Sequence, residues 1–228
     1  MTEPPSQGFI DRFLNWTESH PDLIAIEETE GQRSFTYGQA RDTIAALRGR
    51  LQAKGVREGD PVLLMLPLGA DFILNFLALA SLRAVAVTVS PHLTTWELRP
   101  ILMDAQPIGL ITNGELADTH TDAFAAADLR FTLRADQPGI AAEPLPLARI
   151  GRDNPVVSCH YTYKGFASPV GVLHRYHDYT HAITGMADGL TVPFRPGDVF
   201  LDWLPIYAVY SLTMSVLMPL SYGCKILL

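Results

Sequence analysis

The side chains whose types and spacing could do chemistry gather in the second half of the chain. His174, His177 and His181 recur at helical spacing, with His160 a short way upstream. Such spacing can put ligands for a metal ion on one helix face. No carboxylate pair or cysteine stands beside them at ligand spacing, so no metal is assigned. Cys159 and Cys224 are the two cysteines, and their separation gives neither a zinc spacing nor a disulfide framework. No Gly-x-Ser-x-Gly elbow is present, which leaves hydrolase chemistry without support.

The elements around these residues alternate between the two regular periods. Phe9 to Trp16 carries the apolar positions of a short helix that Pro21 ends. Leu23 to Ile26 has the length of a strand, and Glu27 to Gln32 is a polar turn before Ser34-Phe35-Thr36-Tyr37. Thr36 with Gln39 forms a capping box, opening a helix through Ala40, Ile44, Leu47 and Leu51 that Gly55 stops. Val62 to Leu66 is a continuous apolar run, as expected for a strand buried on both faces. A helix over 70–82 and a strand over 85–89 follow. Thr94 and Glu97 repeat the capping box, and Pro107 limits that helix.

Leu110 to Thr112 is a further short strand. The stretch 114–152 reads as surface excursions around one alanine-rich helix near 122–128. Beyond it the pattern predicts a strand over 156–162, a loop over 163–171 and a helix over 175–190 with Tyr176, Tyr179, Ile183, Met186 and Leu190 on one face. A strand over 199–203, a helix over 209–220 and a last strand opening at Lys225 complete the series. This alternation gives an α/β class.

Composition narrows the partners. With 48% apolar residues in 228, the chain can build a core, so disorder is not expected. The net charge is -7 and only three lysines occur, with no basic run, which argues against nucleic acid. The most apolar region, 72–89, is interrupted by Asn75, Ser81 and Arg83 and reads as buried helix and strand rather than a membrane span. The start Met1-Thr2-Glu3-Pro4-Pro5 lacks the basic and apolar parts of an export signal, so a cytoplasmic location is expected.

Three segments, in order, resemble the acyl-adenylate-forming superfamily of acyl-CoA ligases, aryl-CoA ligases and peptide-synthetase adenylation domains. The first is Ser34-Phe35-Thr36-Tyr37 with its helix and Gly55-Val56-Arg57-Glu58-Gly59-Asp60-Pro61-Val62. The second runs from Leu66-Pro67-Leu68-Gly69-Ala70-Asp71-Phe72 to Ser90-Pro91, with Arg83 where a glycine is usual. The third is Leu204-Pro205-Ile206-Tyr207-Ala208-Val209-Tyr210-Ser211-Leu212, similar to the family's Leu-Pro-Leu-Phe-His-Val-Tyr-Gly-Leu. The resemblance implies part of a large N-terminal α/β domain, with 1–150 as a first subdomain, 151–228 as the start of a second, and the C-terminal domain absent. The last residues, Cys224 to Leu228, are expected to end the chain in mid-strand at an unfinished sheet edge.

The resemblance also assigns sites. The family's phosphate loop, Tyr-Thr-Ser-Gly-Thr-Thr-Gly-x-Pro-Lys-Gly-Val, aligns with Tyr161 to Val172. Here Thr162, Pro169 and Gly171 are kept, while Tyr163, Lys164, Gly165, Phe166, Ala167 and Val170 replace the residues that wrap phosphate; Ser168 stands beside them. Phosphate needs close backbone approach, donors and positive charge. Losing the lysine to Val170 removes a charge-assisted contact, and Lys164 is the one nearby residue that could supply a relocated charge. Ala208 replaces the histidine often found near the substrate carboxylate and can neither donate nor titrate. Trp203, Tyr207, Ala208 and Val209 are the candidate acyl-pocket residues.

The implied chemistry joins a small carboxylic acid, through its acyl adenylate, to the thiol of CoA or of a carrier protein. The implied cofactors are acyl-AMP or ATP together with CoA, with Mg only if adenylation is retained. The altered loop points to a weakened first step. Two rival readings stand beside this one. One is a non-catalytic module completed by a missing C-terminal part or by a partner chain, and the other is an intact adenylating ligase rebuilt around Lys164.

Overall fold

The computed structural model describes residues 7–30, 33–137, 142–162, 168–190 and 193–228. Its elements are α1 (Phe9–Ser19), β1 (Ile24–Glu28), β2 (Arg33–Thr36), α2 (Tyr37–Ala53), β3 (Pro61–Leu64), α3 (Ala70–Ser81), β4 (Val85–Thr88) and α4 (Thr95–Ala105). β5 (Gly109–Thr112), α5 (Gly114–Thr119), α6 (Thr121–Ala125), β6 (Phe131–Arg134), β7 (Val156–Thr162) and β8 (Val170–Arg175) follow. The last are α7 (Tyr176–Asp188), β9 (Val199–Leu201), α8 (Val209–Ser211), a π-helical turn (Leu212–Leu217), α9 (Met218–Ser221) and β10 (Lys225–Leu227).

Six strands form one sheet in the order β6-β5-β3-β4-β7-β8, parallel except for β8, which runs antiparallel to β7. The buried middle strands explain the continuous apolar runs: β4 and β5 are buried at every position, as are the last three residues of β3. Helix α3 lies against this sheet and is itself buried all round, so it carries no polar stripe. Both capping boxes form as the sequence predicts, Thr36 with Gln39 and Thr94 with Glu97.

A second sheet has the order β2-β1-β10-β9. β10 pairs in parallel with β1 on one side and β9 on the other, so the expected unfinished edge at the last strand is corrected: β10 is an interior strand and β9 is the edge. Tyr37 reinforces the junction, its buried hydroxyl facing the carbonyls of Leu220 (3.2 Å) and Cys224 (2.9 Å). A division near residue 150 crosses both sheets, since β7 and β8 extend the sheet of β3–β6 while β1 and β2 pair with the last strands.

Other expectations are revised locally. The stretch 114–152 contains α5 and the edge strand β6 as well as the helix near 122. Its later part is held down by Arg48, whose buried guanidinium donates to the carbonyls of Leu145, Pro146 and Ser81. Residues 170–175 form β8, which takes 170 and 171 from the expected loop and 175 from the expected helix and puts His174 on a strand. On α7, Tyr176, Tyr179 and Ile183 are buried, but Met186 near its end and Leu190 beyond it are exposed because they lie past the part that packs on the core. The helix expected over 209–220 carries a π turn over Leu212–Leu217. Among the described residues no helix is long and apolar enough to cross a membrane.

Candidate functional site

Parallel α/β sheets present ligands with the carboxyl ends of their strands. At that end of β4 and β7 lies a cavity of about 480 Å³, within the range typical of small-molecule sites. One wall is Thr88, Val89 and Ser90 from the end of β4, with Leu93 and Ile101 beside them. A second is His160, Tyr161 and Thr162 of β7 with Pro169, Val172 and His174 around β8. Tyr207, Ala208 and Val209 close the third side. A groove of about 650 Å³ bordered by Arg99, Met103, Gln106 and Arg130 lies where β5 and β6 begin, and shares none of these residues.

His160 holds the walls together. Its Nδ1 lies 2.7 Å from Thr88 Oγ1 and 2.9 Å from the Tyr207 carbonyl, and its Nε2 lies 2.8 Å from the Tyr179 hydroxyl. The Thr88 hydroxyl also donates to the Tyr207 carbonyl at 3.0 Å, and Tyr179 reaches Ser158 Oγ at 2.7 Å. The Tyr207 carbonyl can only accept, which assigns the Nδ1–H tautomer and lets Nε2 accept from Tyr179. Burial pushes the His160 pKa down to about 4; the Tyr207 carbonyl opposes this and His174 adds to it. The ring is therefore a neutral strut at pH 7.

The flanking strand is tied down by Tyr161, whose hydroxyl donates to Asp104 of α4 at 2.6 Å. Burial, then Asp104, holds that phenol well above its ordinary pKa. Cys159 behaves as a core residue, its thiol pushed up to about 11 chiefly by burial. Gly171 faces Tyr161 across the ladder, and a Cβ there would come within 2.9 Å of Cys159 Sγ. A side chain at 171 would press on the Cys159 thiol and the Tyr161 ring, which favours glycine there.

The segment 203–208 is anchored at both ends. At its far end Tyr207 is gripped as described. At its near end Asp202 is buried, with Oδ1 accepting from the Leu204 N–H at 3.1 Å, and burial raises its pKa against that bond and the Ser215 and Ser211 hydroxyls. Trp203, expected in the acyl pocket, turns outward with 72% of its surface exposed and lines no part of the cavity. The backbone on either side is fixed, with the Asp202 N–H donating to the Leu227 carbonyl and the Leu204 N–H to the Asp202 carboxylate.

The structure thus brings together Thr162, Pro169, Tyr207, Ala208 and Val209 from the sequence-derived sites. Ser168 is exposed and, like Gly171, stands outside the lining, while Tyr163, Lys164 and Gly165 lie outside the described residues. Thr88, His160 and His174 were not assigned to a pocket by sequence. Their signal was a threonine closing the apolar run 85–87 and a histidine inside a strand of buried residues. Among the described residues no three His, Cys, Asp or Glu side chains could hold a metal ion together.

Residues 13–228 match the family model described as AMP-binding enzyme. Similar curated proteins include long-chain-fatty-acid–CoA ligase FadD13 of Mycobacterium tuberculosis, 30% identical over 211 residues that cover 86% of this chain and 40% of that protein. Propionate–CoA ligase of Escherichia coli is 28% identical over 201 residues, 79% of this chain and 31% of that one. The chain therefore spans well under half the length of these relatives. Among solved structures, the N-terminal domain of FACL13 from Mycobacterium tuberculosis superposes with a TM-score of 0.84 at 25% identity, covering 97% of this chain and 56% of that one.

Proposed function

Because the chain belongs to the AMP-binding enzyme family, we propose that the protein carries a carboxylic acid, as its acyl adenylate, to a thioester, with the ATP-dependent first step weakened. The observation that carries this reading is a single cavity lined both by Thr162 and Pro169 of the phosphate-loop segment and by Tyr207, Ala208 and Val209. In it the acyl group lies along Val89, Leu93, Ile101 and Val209, and the adenylate end faces Thr162 and Pro169.

The chemistry retained is acyl transfer. The thiol sulfur of CoA, or of a carrier protein's pantetheine arm, attacks the acyl carbon. A carbon–sulfur bond forms, the carbon–oxygen bond to AMP breaks, AMP leaves with the electron pair, and the thiol proton passes to solvent. The chain's residues bind and orient: His160 fixes the Tyr207 segment, and the apolar wall keeps water from the adenylate.

The first step needs a grip on pyrophosphate that these residues supply poorly. Val170 is exposed at the start of β8 and carries no charge. The Thr162 hydroxyl is already directed at the Val170 carbonyl, 3.4 Å away. Mg would matter only to that step, and no residue is assigned to it.

The test uses the full-length protein. Synthetic acyl-AMP plus CoA is expected to give acyl-CoA and AMP, with little ATP–pyrophosphate exchange. Strong exchange that Lys164→Ala abolishes would replace this reading by an adenylating ligase with a rebuilt loop. Failure of both reactions would favour a non-catalytic module that pairs with another chain.

A further inference from the structure

We propose that His174 is the side chain that receives the acid's carboxylate in this cavity, and that the acid it serves has an apolar body and no second charge; this rests on the function proposed above. The cavity's other polar groups are committed to partners or cannot carry positive charge. Thr88 and His160 are engaged with each other and with the Tyr207 carbonyl. The Tyr161 hydroxyl donates to Asp104 and the Thr162 hydroxyl to the Val170 carbonyl, while Ser90 Oγ accepts from the His92 N–H and keeps its own proton. Ala208 has nothing to offer. Among the described residues that leaves the Ser90 hydroxyl, the Tyr207 phenol and His174 with a donor to spare, and only the imidazole can take up positive charge near neutral pH.

His174 is placed for this. It sits in β8 opposite Ser158 of β7, half-buried, with its ring 5.2 Å from that of His160 and nearly perpendicular to it at 77°. The Tyr179 ring lies on its other side, 5.8 Å away. His160 is held neutral by its own hydrogen bonds, so it presents an uncharged ring and not a repelling cation to a protonated His174. Burial favours the neutral form of His174, and Asp178 of α7 works against that. An arriving carboxylate reverses the balance, because an opposite charge in contact favours the protonated ring.

The substrate class follows from the remaining walls. Val89, Leu93, Ile101, Val172 and Val209 are apolar, and no Lys, Arg, Asp or Glu lines the cavity among the described residues. Among the described residues a dicarboxylic or amino acid would find no partner for its second charge. At about 480 Å³ the space accepts a medium-chain or aromatic monocarboxylate.

Binding of octanoate and benzoate, each against its primary amide, to the full-length protein and its variants tests this. The wild type is expected to prefer at least one acid over its amide by tenfold or more, His174→Leu to lose the preference, and His174→Gln to keep part of it. Imidazole NMR supplies a readout independent of folding: acid should raise the titration midpoint of His174 and leave His160 unmoved. An undiminished preference in His174→Leu, or no shift at His174, overturns the assignment while leaving the proposed function standing. A wild type that binds neither acid nor an acyl-sulfamoyl adenosine would instead bring down the functional reading of the cavity.

Discussion

β7 and β8 are two arms of one antiparallel pair, yet they treat their polar residues in opposite ways. β7 is buried from Val157 to His160, whereas Val170, Val172 and Leu173 of β8 are exposed. On the buried arm every polar side chain has found a protein partner, because an unpaired group there would cost about 1–3 kcal/mol. On the exposed arm water satisfies what the protein does not, so His174 can keep its donor for a visitor. A site made from both arms has a rigid half and a receptive half.

The sharpest way to break that contrast is on the rigid side. Tyr179→Phe leaves His160 Nε2 and Ser158 Oγ both unpaired in the core, which should cost about 3 kcal/mol of unfolding free energy by urea titration. The pH dependence sharpens it further. His160 titrates near 4 when folded, below its ordinary value of about 6.5 when unfolded. The unfolded chain therefore binds more protons between those values, and stability should fall as pH drops through that window and be fully present above it. His160→Gln should flatten that part of the curve; Asp202, whose folded pKa is raised, acts with the opposite sign in both proteins and cancels in the difference.

Gly171→Ala pushes a methyl group against Cys159 Sγ and should cost about 1–3 kcal/mol, an overpacking effect measurable as a lower thermal midpoint. On the exposed arm Leu173→Gln should change stability by less than about 0.5 kcal/mol. If Leu173→Gln proves as damaging as Tyr179→Phe, the two arms are not energetically distinct and the contrast fails.

How far these features could be read from sequence tracks burial. The central strands β3, β4 and β5 announce themselves as apolar runs, and Thr36–Gln39 and Thr94–Glu97 announce helix starts because capping is local chemistry. β8 stayed hidden because Val170 to Arg175 is set by pairing with β7: Val-Gly-Val-Leu-His-Arg has neither a clean alternation nor a turn residue at the right place.

 The fold of β8 comes from its ladder to β7 and not from its own pattern. Trp203 misled for the converse reason: an aromatic beside a pocket segment suggests a wall, but its direction is set by how Asp202 and Tyr207 hold the backbone on either side. His160 was visible as a residue and not as a hub, because its partners Thr88, Tyr179 and Tyr207 come from three other parts of the chain. Contacts between distant segments leave no local periodicity to read.

The position of β10 between β1 and β9 has a consequence in time. β1 and β2 are made first, but the neighbour that β1 needs on its open side is Ile226 and Leu227. At ribosomal rates of about 5–20 residues per second, the first strands wait roughly 10–40 s for that neighbour. The sheet around β3, β4 and β5 pairs strands close in sequence and can form meanwhile. Until Lys225 to Leu227 are in place, the exposed flank of β1 is an open strand edge, the kind of surface that chaperones shield and that off-pathway association exploits.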